Sequence, residues 1–261
     1  MTRANYHTHT FRCGHAVGTP LDYAKEAVAK DLCELGMSDH CPFPQNTHGS
    51  RMKYEELDLY LDEIDIAKSI YKDKLNILKS AEIEFTTTAA KDNYYDFLLS
   101  SKKMDYLILG QHWFYDKYGD FHNVYNLRNA ELALDYAATC VQGMKTGCFK
   151  ILAHPDIFAY ELTIGWNDFY EQACDMIIQA AIDTKTILEF NANGIRRGKQ
   201  TYPDEERYVY PHKRFWQKAK QAGLCAIVGS DAHSPDVLWD DAVEKSISIM
   251  NENGIRRIEK L

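Results

Sequence analysis

The sequence predicts an α/β fold of parallel strands joined by crossover helices. A closed, TIM-like barrel is favoured over an open doubly wound sheet. Three observations carry this expectation. Seven short apolar or β-branched runs each lead into a stretch of helical period. The runs are nearly all apolar before their polar ends, as strands buried on both faces should be. Polar residues of a few chemically related types gather at those ends, where the loops of a barrel converge.

The elements follow in order. The first strand is expected over 4–9. Thr19-Pro20 then supplies an N-cap and a proline at the first helical position, and the helix continues through Leu21, Ala24, Ala27 and Val28. Leu35 to Asp39 reads as the second strand. Tyr54 to Tyr71 is an amphipathic helix with Leu57, Leu61, Ile64 and Lys68 marking its turns. Asn76 to Phe85 is the third strand and Asp92 to Ser101 a short helix. Tyr106 to His112 is the fourth strand, followed by a helix over Arg128–Lys145. Lys150 to His154 and Asp168 to Asp183 form the next strand and helix. Thr186 to Asn191 is the sixth strand, and the helix over Pro211–Ala222 stops at Gly223. Cys225 to Asp231 is the seventh strand, and a helix over Pro235–Asn253 closes the pattern. Seven such units, with no repeat, linker or low-complexity stretch, make residues 1–261 one expected domain.

The bulk properties exclude several classes. The chain has 261 residues, 45% hydrophobic and 26% charged, which suits a packed core and not a disordered chain. Its formal charge is -8 with no basic cluster, so neither nucleic acid nor an anionic membrane is an expected partner. No apolar run approaches ~18 residues. Residues 1–7 lack an apolar signal core, and a cytoplasmic location is expected. The seven cysteines include no C-x-x-C pair, so small buried hydrophobes are expected and not disulfides or a cysteine zinc site.

Ten histidines are more informative. Six of the seven strands end in a residue type that binds metal: His7 and His9, then His40 with Asp39, then Glu82 and Glu84, then His112, His154, and finally Asp231 with His233. Residues i and i+2 of a strand share a face, so His7 and His9 can reach one ion together. A lone histidine is more often structural. Unrelated structural histidines, however, have no reason to select the same end of successive strands. Nitrogen and oxygen donors of this kind suit zinc, iron(II) or manganese. About nine ligands are too many for one ion, so two or three ions with a bridging carboxylate are expected. Glu82 is the candidate bridge, although strand alternation alone does not separate it from Glu84.

Six motifs carry a resemblance: HTHTFRCGH at 7–15, SDH at 38–40, AEIEF at 81–85, GQH at 110–112, AHPD at 153–156 and GSDAHSP at 229–235. In this order, over essentially the whole chain, they resemble the PHP (polymerase and histidinol phosphatase) superfamily. The DHCPFP continuation, the QHWF segment and LEFNANGIRRG before Tyr202-Pro203 look most like its monofunctional histidinol-phosphate phosphatases. The resemblance implies a distorted seven-stranded (β/α)7 barrel and three divalent metal ions. It would place His7, His9, Glu82 and Asp231 on the first ion, Glu82, His112 and His154 on the second, and His15, His40 and His233 on the third. It also selects Glu82 over Glu84 as the bridge. Relatives often read Thr-Ser-Gly-Leu-Arg-Lys where this chain has Ala192-Asn193-Gly194-Ile195-Arg196-Arg197, so Arg196 and Arg197 are both candidates to meet phosphate.

The expected reaction is hydrolysis of L-histidinol phosphate to L-histidinol and inorganic phosphate, a step of histidine biosynthesis. Clustered divalent ions suit it, because they generate hydroxide near neutral pH and clamp phosphoryl oxygens. A hydroxide bridging two ions would attack phosphorus. Asp39 would orient His40 or the substrate, and Asp231 and His233 are candidates to protonate the leaving alcohol. Competing readings are a nucleotide-directed phosphoesterase and a metal-binding module without turnover. His48, His122 and His212 fall outside the strand-end pattern and read as surface or loop residues, with His122 a possible cleft residue. Trp113, Phe114 and Tyr115 suit either packing or a cover over a substrate ring. Asp204-Glu205-Glu206-Arg207 reads as a solvated loop, and Arg256-Arg257 is given no role.

Overall fold

The computed structural model describes residues 2–45, 49–161 and 165–261. Within them, eight strands pair in chain order, all parallel: β1 (Ala4–Asn5), β2 (Glu34–Met37), β3 (Asn76–Ile83), β4 (Tyr106–Leu109), β5 (Ile151–Leu152), β6 (Ile187–Asn191), β7 (Cys225–Gly229) and β8 (Arg256–Ile258). The crossover helices are α1 (Pro20–Ala29), α2 (Leu57–Tyr71), α3 (Leu132–Lys145), α4 (Asp168–Thr184), α5 (Lys213–Gln221) and α6 (Asp241–Glu252). Beyond the strands proper, Thr8 and Ala232 form a parallel bridge. His9 N–H donates to the Ala232 carbonyl at 2.8 Å, and Ala232 N–H donates to the His7 carbonyl at 3.2 Å. The sheet thus curls until its first strand meets the segment after its seventh, as a distorted TIM-like barrel.

The helices begin where the sequence supplies caps. Thr19 and Asp22 form a reciprocal capping box ahead of Pro20. The Asn167 side chain accepts from Phe169 N–H, and Asp240 accepts from Val243 N–H. On α2, Leu57, Leu61 and Ile64 are buried as their spacing requires, together with Tyr60 and Ala67. Strand alternation divides the core in two. Leu107 and Leu109 of β4 face the helices, whereas Tyr106 and Ile108 face the barrel interior with Tyr6, Ile151, Ala153 and Ile227. Truncating an interior residue such as Ile108 to alanine removes packing worth about 2–5 kcal/mol. At the barrel floor, Tyr6 O–H donates to the Glu34 carboxylate, which also accepts from Asn76 Nδ2 at 2.6 Å.

Three features depart from the expected pattern. An eighth strand follows α6, in which Arg256 and Arg257 pair with Cys225 and Ala226. Three residues with two charges do not carry the apolar signature of a buried strand, and this one lies at the sheet edge. Two small antiparallel hairpins, Trp113–Tyr115 with Phe121–Asn123 and Lys199–Thr201 with Glu206–Tyr208, occupy loops after β4 and β6. The helix expected over 92–101 is broken, because Asn93 takes a left-handed conformation (φ 55°) and a π turn follows at Phe97–Ser101. Most of the polar residues lie two to four positions beyond their strands, whereas Glu82 lies within β3. His154 (φ 30°) and Asp231 (φ 50°) adopt left-handed backbone angles that turn their side chains off the sheet.

Candidate metal centre

The nine residues expected to bind metal all converge at the C-terminal end of the barrel. Glu82 is the hub. Its Oε1 lies 3.1 Å from His154 Nε2 and 3.5 Å from His112 Nε2. Its Oε2 lies 3.1 Å from His40 Nδ1, 3.3 Å from His7 Nε2 and 3.5 Å from His9 Nε2. Asp231 Oδ1 stands 3.0 Å from His9 Nε2 and 3.7 Å from His7 Nε2. Further out, His15 Nε2 and His233 Nε2 are 3.1 Å apart, and His233 stacks on His9. Among the described residues, donor atoms within 4.8 Å of one another group as His7–His9–Glu82, His40–Glu82–His112, His9–His40–His233 and His9–Cys13–Asp39.

Glu82 and Glu84 occupy different surroundings. Glu82 faces five imidazoles, whereas Glu84 lies past the end of β3, where it pairs with Arg51 at 3.0 Å and with His112 Nδ1 at 3.1 Å. Space for Glu82 comes from Gly110, because a methyl group there would collide with the Glu82 carboxylate.

The chemistry of the donor set fits divalent cations. Several buried polar atoms have no hydrogen-bond partner among the described residues: Nε2 of His7, both ring nitrogens of His9, and Oε2 of Glu82. Burying such groups unpaired is costly, and a shared cation satisfies them all at once. The electrostatics agree for the carboxylates and for His40 and His233, whereas His7, His9 and His112 are raised, against their burial, by the carboxylates they face. Burial alone would raise Glu82, but the facing His7, His112 and His40 hold it well below the usual carboxylate range. Asp231 is likewise held low by His7 and His9 against its burial. Burial and the neighbouring His9 push His40 well down and bring His233 to about 4. Ionised carboxylates and neutral imidazoles are the forms that bind metal. Burial would lower His7 too, but Glu189, Glu82 and Asp231 raise it well above its ordinary value.

A cavity of about 620 Å³ opens over this cluster. His15, His40, His112, Asp231 and His233 line it, together with Arg51, Arg196, Arg197, Tyr125 and Trp113. The two candidate arginines part company here. Arg196 is held by Asp240 at 2.8 and 3.1 Å, by the Ser230 carbonyl at 3.1 Å and by Ser230 Oγ at 3.2 Å. Arg197 has no carboxylate partner among the described residues and sits among the phenols of Tyr210, Tyr160 and Tyr125. Asp39 is fully buried beneath the cavity. It accepts from the His40 backbone N–H at 2.8 Å and from the Thr10 hydroxyl, and it faces His9 Nδ1 at 3.6 Å. Its carboxylate hydrogen bonds run to His40 and Thr10, and it does not line the cavity.

The remaining sequence readings sort as follows. His212 is not a surface residue. It is fully buried, stacked on Trp166 at 4.0 Å, and caps α5 by accepting from Arg214 N–H at 3.3 Å. The reading missed it because an N-cap histidine has no signal of its own. His122 turns away from the cleft to Asp116 at 2.9 Å. His48 lies outside the described residues. Trp113 borders the cavity, Phe114 is core, and Tyr115 is half exposed. In the acidic run expected to be a solvated loop, Arg207 is buried against Tyr202. The cysteines are all free. The expected pattern overlooked Glu189 and Asn191 of β6, both 1% exposed and both in contact with the cluster. A carboxylate inside the apolar run LEFN was the available signal. No helix among the described residues is long and apolar enough to cross a membrane.

The fold and site together define a class. A family model described as the PHP domain matches residues 5–193, and the chain belongs to that family. Among individual relatives, it is 29% identical over 236 residues to a protein of Deinococcus radiodurans named "Probable histidinol-phosphatase", covering 88% of this chain and 85% of that one. It is 24% identical to the histidinol-phosphatase of Bacillus subtilis, covering 89% and 94%. In fold it is similar to a histidinol phosphate phosphatase of Lactococcus lactis, solved in complex with zinc, L-histidinol and phosphate. That likeness has a TM-score of 0.72 at 19% identity and covers 98% of this chain and 95% of that one.

Proposed function

We propose that this protein is a metal-dependent phosphomonoesterase that hydrolyses L-histidinol phosphate to L-histidinol and inorganic phosphate. One observation carries the reading: nine histidine and carboxylate side chains cluster at and beneath a cavity lined also by Arg197, which has no carboxylate partner among the described residues. The relatives' names and the zinc, histidinol and phosphate bound to the Lactococcus protein support the substrate.

Three divalent ions are proposed: His7, His9, Glu82 and Asp231 would hold the first, and Glu82, His112 and His154 the second. His15, His40 and His233 would hold the third. Such ions supply Lewis-acid polarisation and lower the pKa of water to near neutrality. The chain's own residues bind and orient. Arg197 donates charge-assisted hydrogen bonds to phosphate oxygens, while Arg196 fixes the loop that carries it. Asp231 is held ionised and accepts from Asn191 and Asn193 at 3.2 and 3.1 Å, so it suits a ligand better than a proton donor. His233 pairs Nδ1 with the Asp231 carbonyl at 3.1 Å, which leaves the Nε2 lone pair for an ion. Asp39 positions His40 and His9 from below.

The test is inorganic phosphate release from a metabolite panel headed by L-histidinol phosphate, with a nucleotide and a phosphodiester included. Preference for histidinol phosphate supports the reading. Preference for another monoester keeps the phosphatase and discards the substrate, and absence of all hydrolysis by the metal-loaded protein overturns both.

A further inference from the structure

Of the first seven strands, β6 is the one that contributes no expected ligand, yet it lies between β5 and β7 at the centre of the cluster's wall. Two of its residues, Glu189 and Asn191, are buried and polar. Glu189 Oε1 lies 2.7 Å from His7 Nδ1, with both side chains 1% exposed. Glu189 Oε2 accepts from the His154 backbone N–H at 3.2 Å and from Asn191 Nδ2 at 2.8 Å. The same Asn191 amide reaches Asp231 Oδ2 at 3.2 Å, and Asn191 Oδ1 accepts from Asn193 N–H at 2.8 Å. Asn193 Nδ2 completes the chain by donating to Asp231 Oδ2 at 3.1 Å. A continuous polar network thus runs from His7 through Glu189 and Asn191 of β6 to Asp231.

We infer that Glu189 is a positioning residue which, with Asn191, fixes the orientation of His7 and Asp231 for metal binding. The inference rests on the metal-centre reading above. A carboxylate at Nδ1 selects the tautomer that carries its proton there, leaving the Nε2 lone pair directed at the ion. In this protein Nε2 is the atom that points to Glu82 and Asp231. Asn191 and Asn193 occupy one Asp231 oxygen, so the other, Oδ1, is the oxygen presented to His9 and His7. Space for the network is reserved by Gly229 of β7, paired with Asn191, where a methyl group would collide with the Glu189 carboxylate. A carboxylate kept in the wall for solubility would face outward, and one kept for packing would not need a glycine opposite it.

The experiment compares the wild-type protein with Glu189→Gln, Glu189→Ala and Asn191→Ala. Zinc content and zinc affinity by chelator competition are read beside circular dichroism and the thermal midpoint. Long-range ¹H–¹⁵N spectra of the zinc-loaded protein report the His7 tautomer. Glu189→Gln, which preserves shape, is expected to stay folded and lose about 10- to 100-fold in zinc affinity. Asn191→Ala is expected to lose less, and wild-type His7 to carry its proton on Nδ1. Wild-type zinc affinity in folded Glu189→Gln, or a proton on Nε2 of His7 in the wild type, overturns the inference alone. A wild-type chain that takes up no metal overturns the metal reading as well. Because affinity is read without substrate, failure of the histidinol phosphate assignment leaves this test intact.

Discussion

Arg196 and Asp240 form a forked pair, Nε to Oδ2 at 2.8 Å and Nη2 to Oδ1 at 3.1 Å. The pair ties the loop after β6 to the N-cap of α6; both arginines border the cavity, and of the two Arg197 is the one without a carboxylate partner among the described residues. Two neighbouring arginines of the same chemistry therefore have opposite expected phenotypes. Arg196→Ala should lower stability by about 1–3 kcal/mol, since it strands a carboxylate and two Ser230 acceptors at a site shielded only in part from solvent. Arg197→Ala should barely move the thermal midpoint but reduce kcat/KM about 100-fold through the lost phosphate contact. Thermal melts and phosphate-release kinetics on both variants check the assignment, and a reversed pattern would exchange the two roles.

Glu82 gathers five histidines around one carboxylate. Glu82→Ala and His9→Ala should each lower phosphatase turnover by roughly three orders of magnitude or more while the fold survives. Turnover and circular dichroism after metal loading are the measurements. Near-wild-type turnover in either variant would sink the site as described.

Gly110 makes the same point by addition. Gly110→Ala introduces one methyl group against the Glu82 carboxylate. It should cost about 1–3 kcal/mol in overpacking and reduce the metal bound per chain. A fully loaded, fully active Gly110→Ala would mean that Glu82 is free to sit elsewhere.

Metal removal should be legible in stability as well as activity. Ions that bind the folded chain alone raise stability by about 2.7 kcal/mol at a free concentration 100 times Kd. A chelator should therefore lower the thermal midpoint, and added zinc or manganese should restore it with activity. A midpoint that ignores both additions would separate the cluster from metal.

His212 offers a pH signature away from the cluster. Burial, with Arg207 and Arg214 nearby, pushes its imidazole from 6.5 down to about 2. Between those values the unfolded chain binds a proton that the folded chain does not, so stability rises with pH across the window. The His212 contribution is complete above 6.5 and is lost as pH falls, by up to about 1.4 kcal/mol per pH unit. His212→Asn keeps a capping side chain and should flatten the stability profile between pH 6 and 4. Equal slopes in denaturant titrations of the two proteins would contradict the burial of a neutral ring.

Much of this architecture was legible because a single arrangement of residues served two purposes. Strands buried on both faces had to be apolar, and the loops after them had to carry the chemistry, so His7, Glu82, His112 and Asp231 stood out against their own runs. Glu189 was harder to see, because it sits inside the strand and not at its end. His212 was invisible because burial depends on Trp166, which lies 46 positions earlier in sequence and stacks on it only in the fold. The edge strand at Arg256–Ile258 and the two hairpins are too short for periodicity to register. What distinguishes Arg196 from Arg197 is Asp240, a partner that no local pattern names.

The Thr8–Ala232 bridge sets a schedule for assembly. His15 and His233, which touch through their Nε2 atoms beside it, are 218 positions apart in the chain. Contacts of that separation carry the largest loop-closure penalty and tend to form late. The upper cluster should therefore be absent from any chain in which β7 has yet to dock, however well the first half has folded. Added metal would then act on the final step of folding, slowing reopening of the seam more than it speeds collapse.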